Sequence, residues 1–181
     1  MKRTFLFCLG LFLTILTLSA QNRPVTNFKS IRQSVDSNRF EMIFTIATTH
    51  HTYYLQPTTP YSDQNIRIAN DSAFIIVHDS IAAGYLPYFG YGYSLPQTGS
   101  RGIIFSNPMI DLTKSVRGKG RRQSIFYQFS VVGKNDTYKI SLDIRHNGQC
   151  YLFINSLHRS PISYIGQIVE IPDILSEATH G

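Results

Sequence analysis

Apolar and polar residues alternate from residue 39 onward. Phe40, Met42, Phe44 and Ile46 fall on one side of an extended segment; Glu41, Ile43, Thr45 and Ala47 fall on the other. That period predicts a strand over 39–48 with one core face. Residues 65–69 alternate again. Residues 73–78 are almost continuously apolar, which predicts a strand buried on both sides or set at a dense core, and 81–89 continue it after Asp79-Ser80. Further strands are predicted at 103–106, 110–116, 124–132, 138–144, 150–156 and 162–169. Between the runs lie Asn70-Asp71, Asn107-Pro108, Gly118 to Gly120, Gly133 to Asp136 and Asn147-Gly148, all turn signals. An Asn-Gly pair between alternating runs is a strong hairpin signal. Ahead of the strands, Phe28, Ile31 and Val35 stand at helical spacing. They predict a short helix over 28–36, capped by Thr26 or Asn27 and ended by Ser37-Asn38. Residues 50–64, with Pro57 and Pro60, read as a loop holding at most an edge strand at Tyr53-Tyr54-Leu55. Evenly spaced strands and short turns predict a mainly β fold, an antiparallel up-and-down barrel or half-barrel with a short N-terminal helix. The helix would pack on the sheet or plug the barrel mouth.

The N-terminus breaks the pattern. Lys2 and Arg3 precede an apolar run from Phe5 to Leu18, followed by Ser19, Ala20 and polar Gln21-Asn22. A charged start, a short apolar centre and a small-residue exit describe a secretory signal peptide. The run is shorter than the roughly 20 apolar residues a membrane-spanning helix needs. We expect cleavage after Ala20, which leaves 21–181 as one β-rich domain with no transmembrane segment. Cys8 lies inside the apolar run rather than after it, so it is not a lipidation site. The expected location is outside the inner membrane: periplasmic, secreted or cell-surface.

Charge and cysteine content narrow the classes. Losing Lys2 and Arg3 lowers the formal charge of +6 by two, a mild excess. The densest basic stretch, Arg117-Gly118-Lys119-Gly120-Arg121-Arg122, reads as a solvated hairpin turn, with an anionic partner as the sharper alternative. An exported protein does not meet intracellular nucleic acid, so none is expected as partner. Cys150 is the lone cysteine of the mature chain, so no internal disulfide supports it. It sits in the apolar run Cys150-Tyr151-Leu152-Phe153-Ile154 and reads as a small buried residue. Tyr and Phe number 11 and 12, and Trp is absent, which suits strands.

No catalytic constellation stands out. His50-His51 reads as a solvated pair: from a strand the two cannot both chelate one ion, because neighbours point to opposite faces, and in a loop, where they could, no third ligand is near. Ser94 and Ser100 lie near glycines, but no Gly-x-Ser-x-Gly occurs. Acids are scarce and sit mostly at turns, which suggests no carboxylate dyad. No glycine-rich phosphate loop precedes a helix. The expectation is no enzyme, no metal and no cofactor.

The aromatic segment Gly84-Tyr85-Leu86-Pro87-Tyr88-Phe89-Gly90-Tyr91-Gly92-Tyr93 is the best site candidate. Tyr85, Tyr88, Phe89, Tyr91 and Tyr93 offer rigid contact area with polar tips, suited to sugar, lipid or protein recognition. Against this, Tyr85, Leu86 and Phe89 could be core, with the glycines marking a bulge or barrel corner. Arg101, Arg159 and Tyr164 join the ligand-contact candidates, although Arg159 stands before Pro161, where a solvated turn residue is ordinary.

The segment Asp79 to Phe89, centred on Leu86-Pro87-Tyr88-Phe89-Gly90, resembles an exported Bacteroidetes family catalogued as a domain of unknown function. The likeness continues through Arg101-Gly102-Ile103-Ile104-Phe105 and Ser124-Ile125-Phe126. It resumes at Tyr138-Lys139-Ile140-Ser141-Leu142-Asp143-Ile144, Asn147-Gly148 and Arg159-Ser160-Pro161-Ile162-Ser163-Tyr164-Ile165-Gly166. The entry, Asp36-Ser37-Asn38-Arg39-Phe40, fits as well. One position departs: Tyr91 stands where the family pattern implies an arginine. The resemblance implies a lipocalin-like barrel exported to the periplasm or cell surface, and it implies no activity. The functional expectation is a binding or interaction domain for a small apolar or amphipathic ligand or an envelope protein. The alternative is a structural accessory protein of the envelope with no small ligand.

Overall fold

The computed structural model describes residues 24–50, 64–69, 72–90, 92, 102–134 and 136–169. The expected signal peptide, the expected edge strand at Tyr53-Tyr54-Leu55 and the tail after Pro172 lie outside them. One helix, α1 (Phe28–Asp36), precedes ten strands: β1 (Arg39–Thr49), β2 (Gln64–Arg67), β3 (Phe74–His78), β4 (Ile81–Pro87), β5 (Gly102–Pro108), β6 (Ile110–Arg117), β7 (Ser124–Val132), β8 (Thr137–Arg145), β9 (Gln149–Ser156) and β10 (Ile162–Val169). All pairings are antiparallel, and the sheet runs β5-β4-β3-β1-β10-β9-β8-β7-β6. The fold is mainly β, a nearly closed antiparallel barrel with one short helix on its N-terminal side.

Closure rests on two broken runs. β2 and β3 share one side of β1: Ile46 to Thr49 pair with β2 and Arg39 to Ile43 with β3. The two ends of the sheet, β5 and β6, are consecutive in the chain, separated by Met109 alone. They act as one long run whose first half pairs with β4 and whose second half pairs with β7. The bend between them carries a register shift between Ile110 and Thr113, and Asp111 has φ 54°. An extra residue in the left-handed region kinks a strand and sharpens its twist, which is how a sheet turns a corner. Near the bend Asn107 Nδ2 donates to Val132 O at 2.7 Å, tying β5 to the end of β7.

The seam between first and last strands is equally local. β1 and β10 shift register between Phe44 and Ile46, opposite Gly166 and Ile165. At that bulge β1 also changes partner on its other edge: Phe44 N donates to Ala73 O and Ile68 N to Thr45 O, each at 2.9 Å. Gly166 fits there because a Cβ would strike Ile43 O and lie 2.7 Å from Phe44 Cα, both backbone.

Inward side chains fill the barrel. Phe44, Met42, Leu86, Tyr127, Ile140, Leu142, Leu152 and Ile168 keep at most 1% of their surface. A hollow large enough for water would show as exposure on these residues, so the interior they line is packed. Phe40 and Phe129 meet the Tyr127 ring edge to face, at 5.3 and 5.8 Å between centroids. α1 closes one end. Asn27 Oδ1 accepts from Lys29 N at 3.0 Å, so Asn27, one of the two expected candidates, is the cap. Ile31 and Val35 sink into the core. The Lys114 ammonium, on β6, donates to Val35 O (2.8 Å) and Asp36 O (3.1 Å), satisfying carbonyls at the helix C-terminus. Tyr127 Oη donates to Asn38 Oδ1 at 2.9 Å.

Two strand-level expectations are corrected. Residues 73–78 are not buried on both sides: in β3, Ile75 and Val77 point inward, while Phe74 and Ile76 are half-buried on the outer face. Asn107-Pro108 is not a chain reversal. Reversal there would pair β5 with β6, whereas each pairs with another strand and the chain continues through a bend. The basic stretch is a turn: Gly118 and Gly120 have φ 75° and 56°, and Gly120–Arg122 form a single exposed 3-10 turn. Gly148, φ 83°, makes the predicted β8–β9 hairpin.

Candidate functional site

At the end of the barrel away from α1, β4 ends at Pro87, β9 and β10 are joined through residues 157–161, and β1 ends at Thr49. Three of the sequence candidates meet there. Tyr164 points inward from β10, fully buried, with its ring 5.9 Å from that of Phe44. Its hydroxyl donates to Pro87 O at 2.8 Å, pinning the end of β4. Burial pushes this hydroxyl well above its ordinary value; Tyr88 adds to the rise and Arg159 opposes it. Tyr88, just beyond β4, donates from Oη to Ser160 O at 3.0 Å and shares a second bond with Ser160 Oγ at 2.9 Å.

Arg159 lies against this group. Its guanidinium carbon is 4.9 Å from the Tyr88 ring centroid, a cation–π distance. Its backbone bridges to that of Gly92, within the aromatic segment. Gly90 lies close beneath this pair: a Cβ there would sit 2.5 Å from both Ser160 Oγ and Tyr88 Oη. Arg159 keeps only 4% of its surface exposed. The expectation of a solvated turn residue is therefore corrected: the Tyr88 ring packs on the guanidinium and Gly92 pairs with the backbone. Its Nε has no hydrogen-bond partner. No carboxylate among the described residues lies within ion-pair distance of it.

Tyr138, which the sequence did not single out, completes the surroundings. It points inward from β8 and is 2% exposed. Burial raises its hydroxyl above the ordinary value; Arg159 lowers it and Asp136 raises it. Asp136 Oδ1 accepts from Thr137 N at 2.8 Å, and Oδ2 has no partner. Tyr138 has no local motif; only its inward parity on β8 marks it.

The other candidates separate. Tyr85 and Phe89 do not join the cluster: Tyr85 is 39% exposed on the outer face of β4, opposite Ile104, and Phe89 is 43% exposed. Tyr91, Tyr93 and Arg101 lie outside the described residues. His50 is engaged rather than solvated, with Nε2 2.6 Å from Ser163 Oγ and its ring 5.9 Å from that of Phe153. Cys150 is buried, its Sγ donating to Gly148 O at 3.4 Å, and burial pushes the thiol far above its ordinary value. Among the described residues no three His, Cys, Asp or Glu cluster as metal ligands would.

The family model described as Domain of unknown function (DUF4251) matches residues 22–168. The fold is similar to the crystal structure of a DUF4251 family protein from Bacteroides eggerthii. That structure is 12% identical, with a TM-score of 0.53, and the match covers 78% of this chain and 85% of the other. At that identity the likeness concerns the fold. No curated protein matches the chain.

Proposed function

Because the chain belongs to the DUF4251 family, a domain of unknown function, we propose a role from its own residues: an exported binding domain of the cell envelope. In this reading the signal peptide sends it past the inner membrane, to the periplasm or cell surface. The lipocalin-like barrel is a rigid scaffold that carries no catalytic or metal centre. It holds an apolar or amphipathic ligand, or an envelope protein, at the end opposite α1. The observation behind the reading is the convergence of Tyr88, Arg159 and Tyr164 from separate parts of the chain. Packed aromatic rings with polar tips, and a guanidinium, are what recognition surfaces favour.

One observation favours the alternative, a structural accessory protein without a small ligand: the interior is filled. The two readings meet in a rim site, where a ligand contacts the barrel end rather than its centre. Mass spectrometry of molecules retained by the mature protein, purified from its native envelope, separates them. The binding reading expects one amphipathic species near one per protein, lost in Tyr88→Ala. A folded protein carrying no retained molecule would favour the structural role.

A further inference from the structure

A buried charge is costly unless it is paired. Arg159 is 96% buried by its 4% exposure, with Nε unpartnered and no carboxylate of the described residues within ion-pair reach. Asp136, whose carboxylate acts on the Tyr138 hydroxyl from the same surroundings, lies beyond ion-pair distance of the guanidinium. Tyr138 and Tyr164 have hydroxyls raised by burial, so both stay neutral at physiological pH. The Tyr88 ring attracts the cation, but a ring packed against a guanidinium satisfies none of its N–H donors. The planar fork of donors matches carboxylate and phosphate oxygens, two bonds at a time. Beside it, Tyr88 and Ser160 hold a pair of hydroxyls at 2.9 Å. Within two positions of the cluster along the chain stand Phe89 and Leu157, 43% and 86% exposed.

We propose that Arg159 anchors the anionic oxygen group, carboxylate or phosphate, of the ligand held at this end of the barrel. The proposal rests on the binding reading above and adds the ligand's chemistry. The oxyanion takes the N–H edge of the guanidinium that the Tyr88 ring leaves unsatisfied, and the apolar part of the molecule lies along exposed Phe89 and Leu157. A neutral molecule of the same length lacks the first contact.

The test is titration calorimetry on the mature protein, on Arg159→Met and on Arg159→Lys. The probes are decanoate, decyl phosphate, decanol and inorganic phosphate, below micellar concentrations. Wild type is expected to bind at least one decyl anion about tenfold or more tighter than decanol, the worth of a charge-assisted pair. Arg159→Met should erase the difference. Arg159→Lys should keep part of it, since an ammonium retains the charge without the fork. Competition by inorganic phosphate would identify free phosphate as a sufficient source; anion binding without such competition would assign the site to an amphiphile headgroup. Equal binding of decanol and the anions, unchanged in Arg159→Met, would overturn the anion assignment and leave the binding reading standing. Failure of every anionic probe on wild type would overturn it too, and the co-purification result then decides the broader reading.

Discussion

Gly166→Ala is expected to destabilise the barrel by at least about 3 kcal/mol, the upper end for overpacking, and to lower Tm by roughly 6–12 °C. The added methyl would meet Ile43 O and Phe44 Cα, backbone atoms of the facing strand that cannot rotate aside. The clash falls on the seam joining first and last strands, at the bulge where β1 changes from β3 to β2. Relief there would displace both edges of β1. Gly120→Ala is the control: a Cβ meets nothing within 4 Å, and only its left-handed φ of 56° resists, at about 1 kcal/mol. Urea denaturation of both variants checks the contrast. Equal, small losses would mean that β1 and β10 do not approach this closely.

Stability should fall steeply in alkali, by about 3 kcal/mol between pH 10 and pH 11. Burial raises the hydroxyls of Tyr127 and Tyr164 above their ordinary 10.0. Above that value the unfolded chain releases phenolic protons that the folded chain retains. The folded state then binds more protons, so stability decreases as pH rises, by about 1.4 kcal/mol per unit for each group. Below that range their contribution is fully present. Tyr138 acts in the same direction, and the Cys150 thiol from its ordinary 9.0. Lys114 opposes weakly: burial lowers its ammonium, and Asp36 partly restores it. Chemical denaturation from pH 7 to 11 measures the slope. Tyr164→Phe should cost about 1–2 kcal/mol at pH 7, through the unpaired Pro87 carbonyl. It should also reduce the loss between pH 10 and pH 11 by about 1 kcal/mol. Constant stability up to pH 11 would contradict the burial of these phenols.

Much of the sheet was legible because one-sided burial writes a period of two. β7 to β10 lie within a residue or two of their expected bounds, and Asn147-Gly148 makes its hairpin. α1 was equally plain from Phe28, Ile31, Val35 and the Asn27 cap. Period alone does not reveal which edge a strand joins, so the shared run of β5 and β6 read as two strands around a turn. Nor does it separate a doubly buried strand from β3, whose outer face carries Phe74 and Ile76.

The site was legible only in part. Tyr88, Arg159 and Tyr164 were named, yet their meeting depends on the end of β4 and the start of β10 lying at one level, a long-range fact. Tyr85 and Leu86 could not both be core, since neighbours on a strand face opposite ways; Leu86 takes the interior and Tyr85 the outside. Arg159 misled because a basic residue before proline ordinarily faces water. It meets Gly92 and Tyr88, more than sixty positions earlier in the chain.

The central claim is that the Arg159 charge has no anionic partner among the described residues. The stability of ligand-free Arg159→Met against wild type tests it most directly. Replacing an unpaired buried charge by an apolar side chain of similar length should leave stability unchanged or raise it, by up to about 4 kcal/mol. A loss of about 3 kcal/mol or more would show that the chain itself satisfies this guanidinium, and the account of an anion anchor would fail.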